Sequence, residues 1–192
     1  PRAVSSPMHV RDAKNHEEVW LLDLLDAFDF EDPAFRSRDY VLAIDESSGE
    51  KAGFGRLRIH RTEAGEVCEV TNLGVLESFR GEGAGAQLLE RLVENARTEG
   101  FETVYGLSPQ SSYLEQFGFD PIEPEALPPV LAERFEAVQS SDPDATPVVL
   151  DVEDFSVPRR LKRRAEPADE SEESPEDFGI DPDAATYKYD VD

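Results

Sequence analysis

Seven consecutive residues, Arg80-Gly81-Glu82-Gly83-Ala84-Gly85-Ala86, place three glycines and a guanidinium directly before a run with helical periodicity. The first amides of a helix have no partner inside it. Glycines there let the backbone curl so that several N–H groups face one anion at the positive end of the helix dipole. The ligand that suits this chemistry is a diphosphate. A simple tight connection between strand and helix would use the same residue types. The spacing Gly81-x-Gly83-x-x-Ala86 also fits a dinucleotide-binding fingerprint, but that motif needs the strand to run straight into its first glycine and an acidic residue to end the next strand. Here Glu77-Ser78-Phe79-Arg80 intervene, and Leu107-Ser108-Pro109 stand at the second place. No Gly-Lys-Ser/Thr follows, which excludes a kinase-style phosphate loop.

The flanking residues define the elements that must hold this loop. Leu88, Leu89, Leu92, Val93 and Ala96 recur with helical spacing, predicting a helix over Ala86–Thr98 that Gly100 ends. Upstream, Met8–Arg11 reads as a short strand, and residues 12–28 as a helix capped by Asp12, with Val19, Trp20, Leu22, Leu25 and Phe28 on its stripe. Tyr40–Ile44, Ala52–Arg61 and Val67–Val75, joined by turns of four or five residues, predict a three-stranded antiparallel meander. Phe101–Leu107 follows the helix and reads as a strand parallel to its predecessor through a right-handed crossover. A short helix at Ser111–Phe117, a strand near Asp120–Ile122, a helix at Ala126–Ser140 and a last strand at Val148–Val152 complete a mixed α/β order.

The stretch Glu69-Val70-Thr71-Asn72-Leu73-Gly74-Val75, four linking residues, then Arg80-x-x-Gly83-x-Gly85 resembles the acetyl-CoA site of the GNAT superfamily of N-acetyltransferases. Tyr113-Leu114-Glu115-Gln116-Phe117-Gly118-Phe119 is similar to its later segment, typically Phe-Tyr-Glu-Lys-Leu-Gly-Phe. The resemblance covers residues 8–155 and implies a GNAT-like α/β fold: a largely antiparallel mixed sheet with a central splayed parallel strand pair and flanking helices. It implies that the pantetheine arm of acetyl-CoA, the co-substrate, bonds to backbone near Leu73, Gly74 and Val75, and that Arg80, Gly81, Glu82, Gly83, Ala84, Gly85 and Ala86 grip the pyrophosphate.

Acetyl transfer to an amine needs a neutral amine, a destination for its proton and a way to stabilise the departing thiolate. Glu69 falls where many family members carry a strand carboxylate that takes the proton, directly or through water. By strict alternation it shares a face with Leu73 and Val75, and a bulge between them would break that count. The usual thiolate-protonating tyrosine aligns with Leu114, and this chain places Tyr113 one position earlier, about 100° around a helix. Tyr113 is thus read first as a packing residue and, if the short helix is shifted, as the catalytic proton donor, with Tyr105, Ser111 and Ser112 as weaker substitutes. The segments Leu107-Ser108-Pro109, Gly118-Phe119 and Ala126-Leu127-Pro128 resemble, loosely, the domains that acetylate the α-amine of glutamate. Arg56 and Arg58 share a strand face and have the fork geometry that clamps a carboxylate; balancing nearby acids on an exposed strand is the other role open to them. The acceptor is expected to be a small amino-acid-like amine, with a protein lysine or N-terminal amine, or a non-catalytic acyl-CoA-binding module, as alternatives.

Forty-three Asp and Glu against 19 Lys and Arg give 192 residues a formal charge of −24, which argues against nucleic acid or an anionic membrane as partner. Only Lys14, Lys51, Lys162 and Lys188 are lysines. Abundant carboxylate with scarce lysine predicts a halophilic protein that unfolds in low salt, because at about 1 M ionic strength the Debye length falls to about 3 Å. The lone Cys68 permits no intrachain disulfide, and His9, His16 and His60 form no ligand spacing, so no metal is implied. Without an apolar run of signal-peptide or membrane type, the expected location is cytoplasmic. The domain is expected to span residues 1–155. Residues 156–192, basic at Arg159–Arg164 and acidic over Glu166–Asp177, are expected to form a disordered charged tail. The oligomeric state is left open, a homodimer included.

Overall fold

The computed structural model describes residues 7–161. The chain builds seven strands: β1 (Met8–Asp12), β2 (Tyr40–Asp45), β3 (Lys51–Thr62), β4 (Gly65–Val75), β5 (Thr103–Ser108), β6 (Asp120–Pro121) and β7 (Thr146–Asp151). Among the described residues they are accompanied by the α-helices α1 (Glu18–Ala27), α2 (Ala84–Thr98), α3 (Ser111–Glu115) and α4 (Pro129–Ser141). The strands form one mixed sheet in the order β1-β2-β3-β4-β5-β7-β6. Every pairing is antiparallel except β4 with β5.

That parallel pair is short. Cys68, Glu69 and Val70 pair with Val104, Tyr105 and Gly106, after which β4 continues to Val75 and β5 to Ser108 without pairing to one another. The central strands therefore part toward their C-terminal ends, leaving a notch that leads to the loop before α2.

Helix α2 covers one face. Its buried Leu88, Leu89, Leu92, Val93 and Ala96 pack with Val41, Leu57, Cys68, Val70 and Val104, and α3 adds Leu114 to the same cluster. On the other face α1 packs Leu21 and Leu25 on Tyr40, Leu42 and Phe54, and α4 packs Leu131 and Phe135 with Leu107, Val67 and Tyr105. Residues beyond the last strand return to α3: Phe155 stacks on Phe117, with ring centroids 5.9 Å apart, and Ser156 N donates to Phe117 O. The tail expected over 156–192 lies outside the described residues from position 162 onward.

Several boundaries depart from the sequence expectation. Asp12 does not cap a helix; it pairs with Val41 at the end of β1. A 3-10 turn at Asn15–Glu17 leads into α1, with Glu17 accepting from the Lys14 amide at 2.8 Å and from Arg11. The helix expected from Ala126 begins at Pro129, because Pro129 forces Pro128 into extended backbone (ψ 149°) and then suits the first helical position. Arg56 is not on an exposed strand, being 3% exposed.

Gly118, after α3, has φ 111°, and a Cβ there would stand 2.6 Å from the Asp154 carbonyl oxygen. Gly118→Ala is expected to cost about 2 kcal/mol or more, since both the left-handed backbone and a main-chain clash oppose it. Thermal unfolding of the variant checks this.

Candidate active site

Near the notch, β4 carries a bulge. Arg56 pairs with Thr71 and Phe54 with Gly74, so Gly55 faces both Asn72 and Leu73. Asn72 supplies the extra residue at φ 54°, a left-handed conformation that asparagine tolerates better than most residues. The bulge inverts the alternation. Glu69 and Thr71 face the α1 and α4 side, whereas Leu73 and Val75 pack with the α2 cluster. The shared face expected for Glu69, Leu73 and Val75 is therefore corrected: the carboxylate and the strand end lie on opposite faces of the sheet, with the unpaired ends of β4 and β5 between them.

On the α2 side, the loop residues take the conformation that glycine permits. Gly81 (φ 84°) and Gly83 (φ 89°) are left-handed, and Gly83 precedes the helix without any side-chain cap. The first turn of α2 holds no acidic residue. Its leading amides have no acceptor within the helix. Arg80 is exposed and folds back so that Nε donates to Val75 O at 3.2 Å, joining the loop to the end of β4. A groove of about 570 Å³, lined by Leu24, Phe28, Leu76, Glu77, Ser78 and Arg80, reaches this loop from the α1 side.

Tyr113 extends from α3 to the same turn. Its hydroxyl lies where a Cβ on Gly85 would be only 2.5 Å away, and its ring meets Phe117 edge-on at 5.1 Å. Among the described residues the hydroxyl has no hydrogen-bond partner. Burial raises its pKa, against a smaller opposing influence of Arg160, so the phenol stays protonated. Leu114, which aligns with the usual tyrosine, is buried instead against Gly106 and the core.

On the opposite face, Glu69 is fully buried. Its Oε1 contacts His60 Nε2 at 3.0 Å and accepts from Arg134 Nε at 2.7 Å. Its Oε2 accepts from Arg134 Nε at 3.0 Å and from the Arg134 terminal nitrogen at 2.7 Å. Burial opposes ionisation, but the hydrogen bonds from His60 and Arg134 and the charge of Arg134 outweigh it, holding the carboxyl below its ordinary value of 4.5. Three N–H groups make these contacts, the single Arg134 Nε hydrogen being shared between both oxygens, and they take up most of the carboxylate's lone-pair capacity. Arg134 was not anticipated from sequence: it stands on α4, 65 positions from Glu69, and only packing joins them.

The two arginines of β3 separate. Arg56 is bound to Asp32, Asp39 and the Ala34 carbonyl. Arg58, directly opposite Glu69 in the ladder, is half-buried and has no hydrogen bond or ion pair among the described residues. Burial lowers its pKa, and the like charge of Arg134 adds to the effect.

Because the folded-state pKa of Glu69 is depressed, its ion pair contributes fully above the unfolded value near 4.5 and is lost as pH falls through the lower folded value. Stability is thus expected to fall on acidification below about pH 4.5. Glu69→Gln should flatten that acid limb, as read by thermal unfolding across pH.

The sheet order, the parted parallel strands and the glycine turn before α2 define an acetyltransferase-type fold. The model of the Acetyltransferase (GNAT) family matches residues 7–119. The chain belongs to the GNAT acetyltransferase family. An uncharacterised N-acetyltransferase of Chlorobaculum tepidum is 33% identical over 63 residues, which is 33% of this chain and 41% of that relative. Among solved structures, N-acetylglutamate synthase from Neisseria gonorrhoeae, complexed with coenzyme A and N-acetyl-glutamate, superposes with a TM-score of 0.63 at 17% identity. That match covers 76% of this chain and 35% of the synthase chain. A Mycobacterium tuberculosis protein solved with CoA gives a TM-score of 0.62 at 17% identity, over 74% of this chain and 98% of that one. These structural likenesses establish the fold. No helix among the described residues is long and apolar enough to cross a membrane.

Proposed function

We propose that the protein transfers the acetyl group of acetyl-CoA to the primary amine of a small acceptor that carries a carboxylate, an amino-acid-like molecule. The observation that carries the acceptor reading is Arg58: a half-buried residue whose guanidinium makes no hydrogen bond or ion pair among the described residues, facing the Glu69–Arg134 pair across the β3–β4 ladder.

The residues present fit the co-substrate. The parted strands leave the Leu73–Val75 backbone unpaired to β5, where it would hold the pantetheine arm. Arg80 and the backbone from Gly81 to Ala86, with left-handed glycines at 81 and 83, would hold the pyrophosphate, and Glu82 contributes through its main chain in this reading. Bound there, the thioester supplies an activated acetyl group.

Arg58, Arg134 and Glu69 together carry one net positive charge. Such a pocket favours a carboxylate and disfavours an ammonium, which helps the acceptor amine to shed its proton. Glu69, held by three N–H groups, loosens one of these contacts as it accepts that proton. An acceptor carboxylate drawn between Arg58 and Arg134 competes for the Arg134 guanidinium, freeing a lone pair on Glu69 as the amine arrives. Tyr113 keeps its proton beside Gly85, at the turn that would hold the pyrophosphate, so in this reading it packs and binds there and the thiolate leaves without a proton from it.

A second reading, a module that binds acyl-CoA without turnover, draws support from the four contacts that occupy Glu69 and from Leu114 at the tyrosine position. Comparing α-amino acids with their decarboxylated amines tests the first reading. Arg58→Ala is expected to lower kcat/KM for the amino acid about 100-fold and to lower that for the decarboxylated amine far less, through the lost charge alone. Equal use of both acceptors by the unsubstituted protein would overturn the carboxylate requirement.

A further inference from the structure

Arg56 anchors a buried polar chain that runs from the α1–β2 connection to the bulge in β4. One terminal nitrogen donates to Asp32 Oδ1, and the other donates at 2.9 Å both to Asp39 Oδ2 and to the Ala34 carbonyl. Asp32 Oδ2 accepts from the Tyr40 hydroxyl at 2.6 Å, and that hydroxyl accepts from Asn72 Nδ2 at 3.0 Å. The Arg56 and Asp32 side chains are 3% and 4% exposed, and Tyr40 is completely buried. Burial and the Asp32 contact push the Tyr40 pKa well above its ordinary value, so the hydroxyl keeps the proton it donates. The guanidinium also lies 5.9 Å from the centre of the Tyr40 ring.

The far end of this chain is Asn72, the left-handed residue that makes the bulge. A bulge is one extra residue in a ladder, and a slip of one position moves every following side chain to the other face. Without the bulge, Leu73 and Val75 would leave the α2 side and the backbone between them would be presented differently to the notch. The amide of Asn72 is tied at this position to Tyr40 and, at 3.5 Å, to the Glu31 carbonyl. Those ties favour this register over its neighbours.

We infer that Arg56 is a positioning residue: through Asp32, Tyr40 and Asn72 it fixes the β4 bulge that presents Leu73–Val75 to the co-substrate, and it does not clamp the acceptor. The inference rests on the proposed use of Leu73–Val75 to hold the pantetheine arm.

The test is titration of coenzyme A alone, by calorimetry, into folded protein carrying Tyr40→Phe, Asn72→Gly or both. Tyr40→Phe removes one hydroxyl. Asn72→Gly removes the amide but tolerates the positive φ. Each single change is expected to weaken coenzyme A binding about tenfold, and the double variant no further than the weaker single one, because both delete the same link. Arg56→Lys, which keeps the charge but cannot reach three acceptors in the same fork, should weaken coenzyme A binding similarly while leaving KM for the acceptor unchanged.

A lower melting temperature with unaltered coenzyme A affinity would mean that the network serves stability alone, and the inference would fail. A raised acceptor KM with intact coenzyme A binding in Arg56→Lys would return Arg56 to the role of acceptor clamp. Absence of coenzyme A binding by the unsubstituted protein would overturn the proposed function and this inference with it. Normal binding by that protein and unchanged binding by the variants overturns the positioning role alone.

Discussion

Glu69→Gln lowers kcat by about 10²- to 10³-fold and leaves KM for acetyl-CoA within about twofold, if Glu69 receives the acceptor's proton. Glutamine keeps the shape and some hydrogen bonding but cannot take up a proton at this position. The substitution also leaves Arg134 without its counter-charge beside a half-buried Arg58, so a loss of about 3 kcal/mol of stability accompanies it. The kinetic effect must therefore be read per folded molecule, well below the melting temperature of the variant. Stability lost with kcat retained would make Glu69 a structural counter-ion. Loss of turnover with acetyl-CoA affinity intact places the defect in chemistry, on the side of the sheet opposite to the glycine loop.

The second large effect belongs to that loop. Gly85 lies in the first turn of α2, where a Cβ would meet the Tyr113 hydroxyl at 2.5 Å and Val75 Cγ2 at 3.7 Å. Leucine at this position collides with the Tyr113 hydroxyl and presses on Val75, so α3 and the end of β4 must shift, at about 1–3 kcal/mol of stability. Gly85→Leu is expected to weaken coenzyme A binding by about 100-fold or more, as measured by direct titration. The helix itself should persist, because leucine is favoured over glycine in a helix by about 0.8 kcal/mol. The affinity is therefore read on folded protein, well below the melting temperature of the variant. Unchanged affinity would remove the pyrophosphate from this turn.

The elements that position the site were largely legible because their signals are local. The period of Leu88, Leu89, Leu92, Val93 and Ala96 marks α2, and the alternation around Leu57 and Ile59 marks β3. The strand-helix-strand succession then makes β4 and β5 parallel. The glycine turn was legible for the same reason: Gly81 and Gly83 take the positive φ that their type permits. What escaped depends on contacts between distant residues or on a single backbone angle. The bulge is made by Asn72 and held through contacts with Tyr40 and Asp32 from distant positions, and strict alternation does not mark where it breaks. Asp32 and Arg56 are 24 positions apart, and Glu69 and Arg134 are 65 apart. Arg56 and Arg58 look equivalent in sequence; only the α1–β2 connection, folding its acids over one of them, makes them different. The start of α1 was misplaced because Asp12 carries a capping side chain yet is taken by the edge of the sheet.

The central claim is acceptor-dependent acetyl transfer. Its most direct measurement is release of free thiol from acetyl-CoA by the 192-residue chain in molar salt, offered separate pools of amino acids, polyamines and peptides. Thiol release is expected to require the amino-acid pool and to fall sharply in Glu69→Gln. Coenzyme A binding without release on any pool would contradict it and leave a binding module in its place.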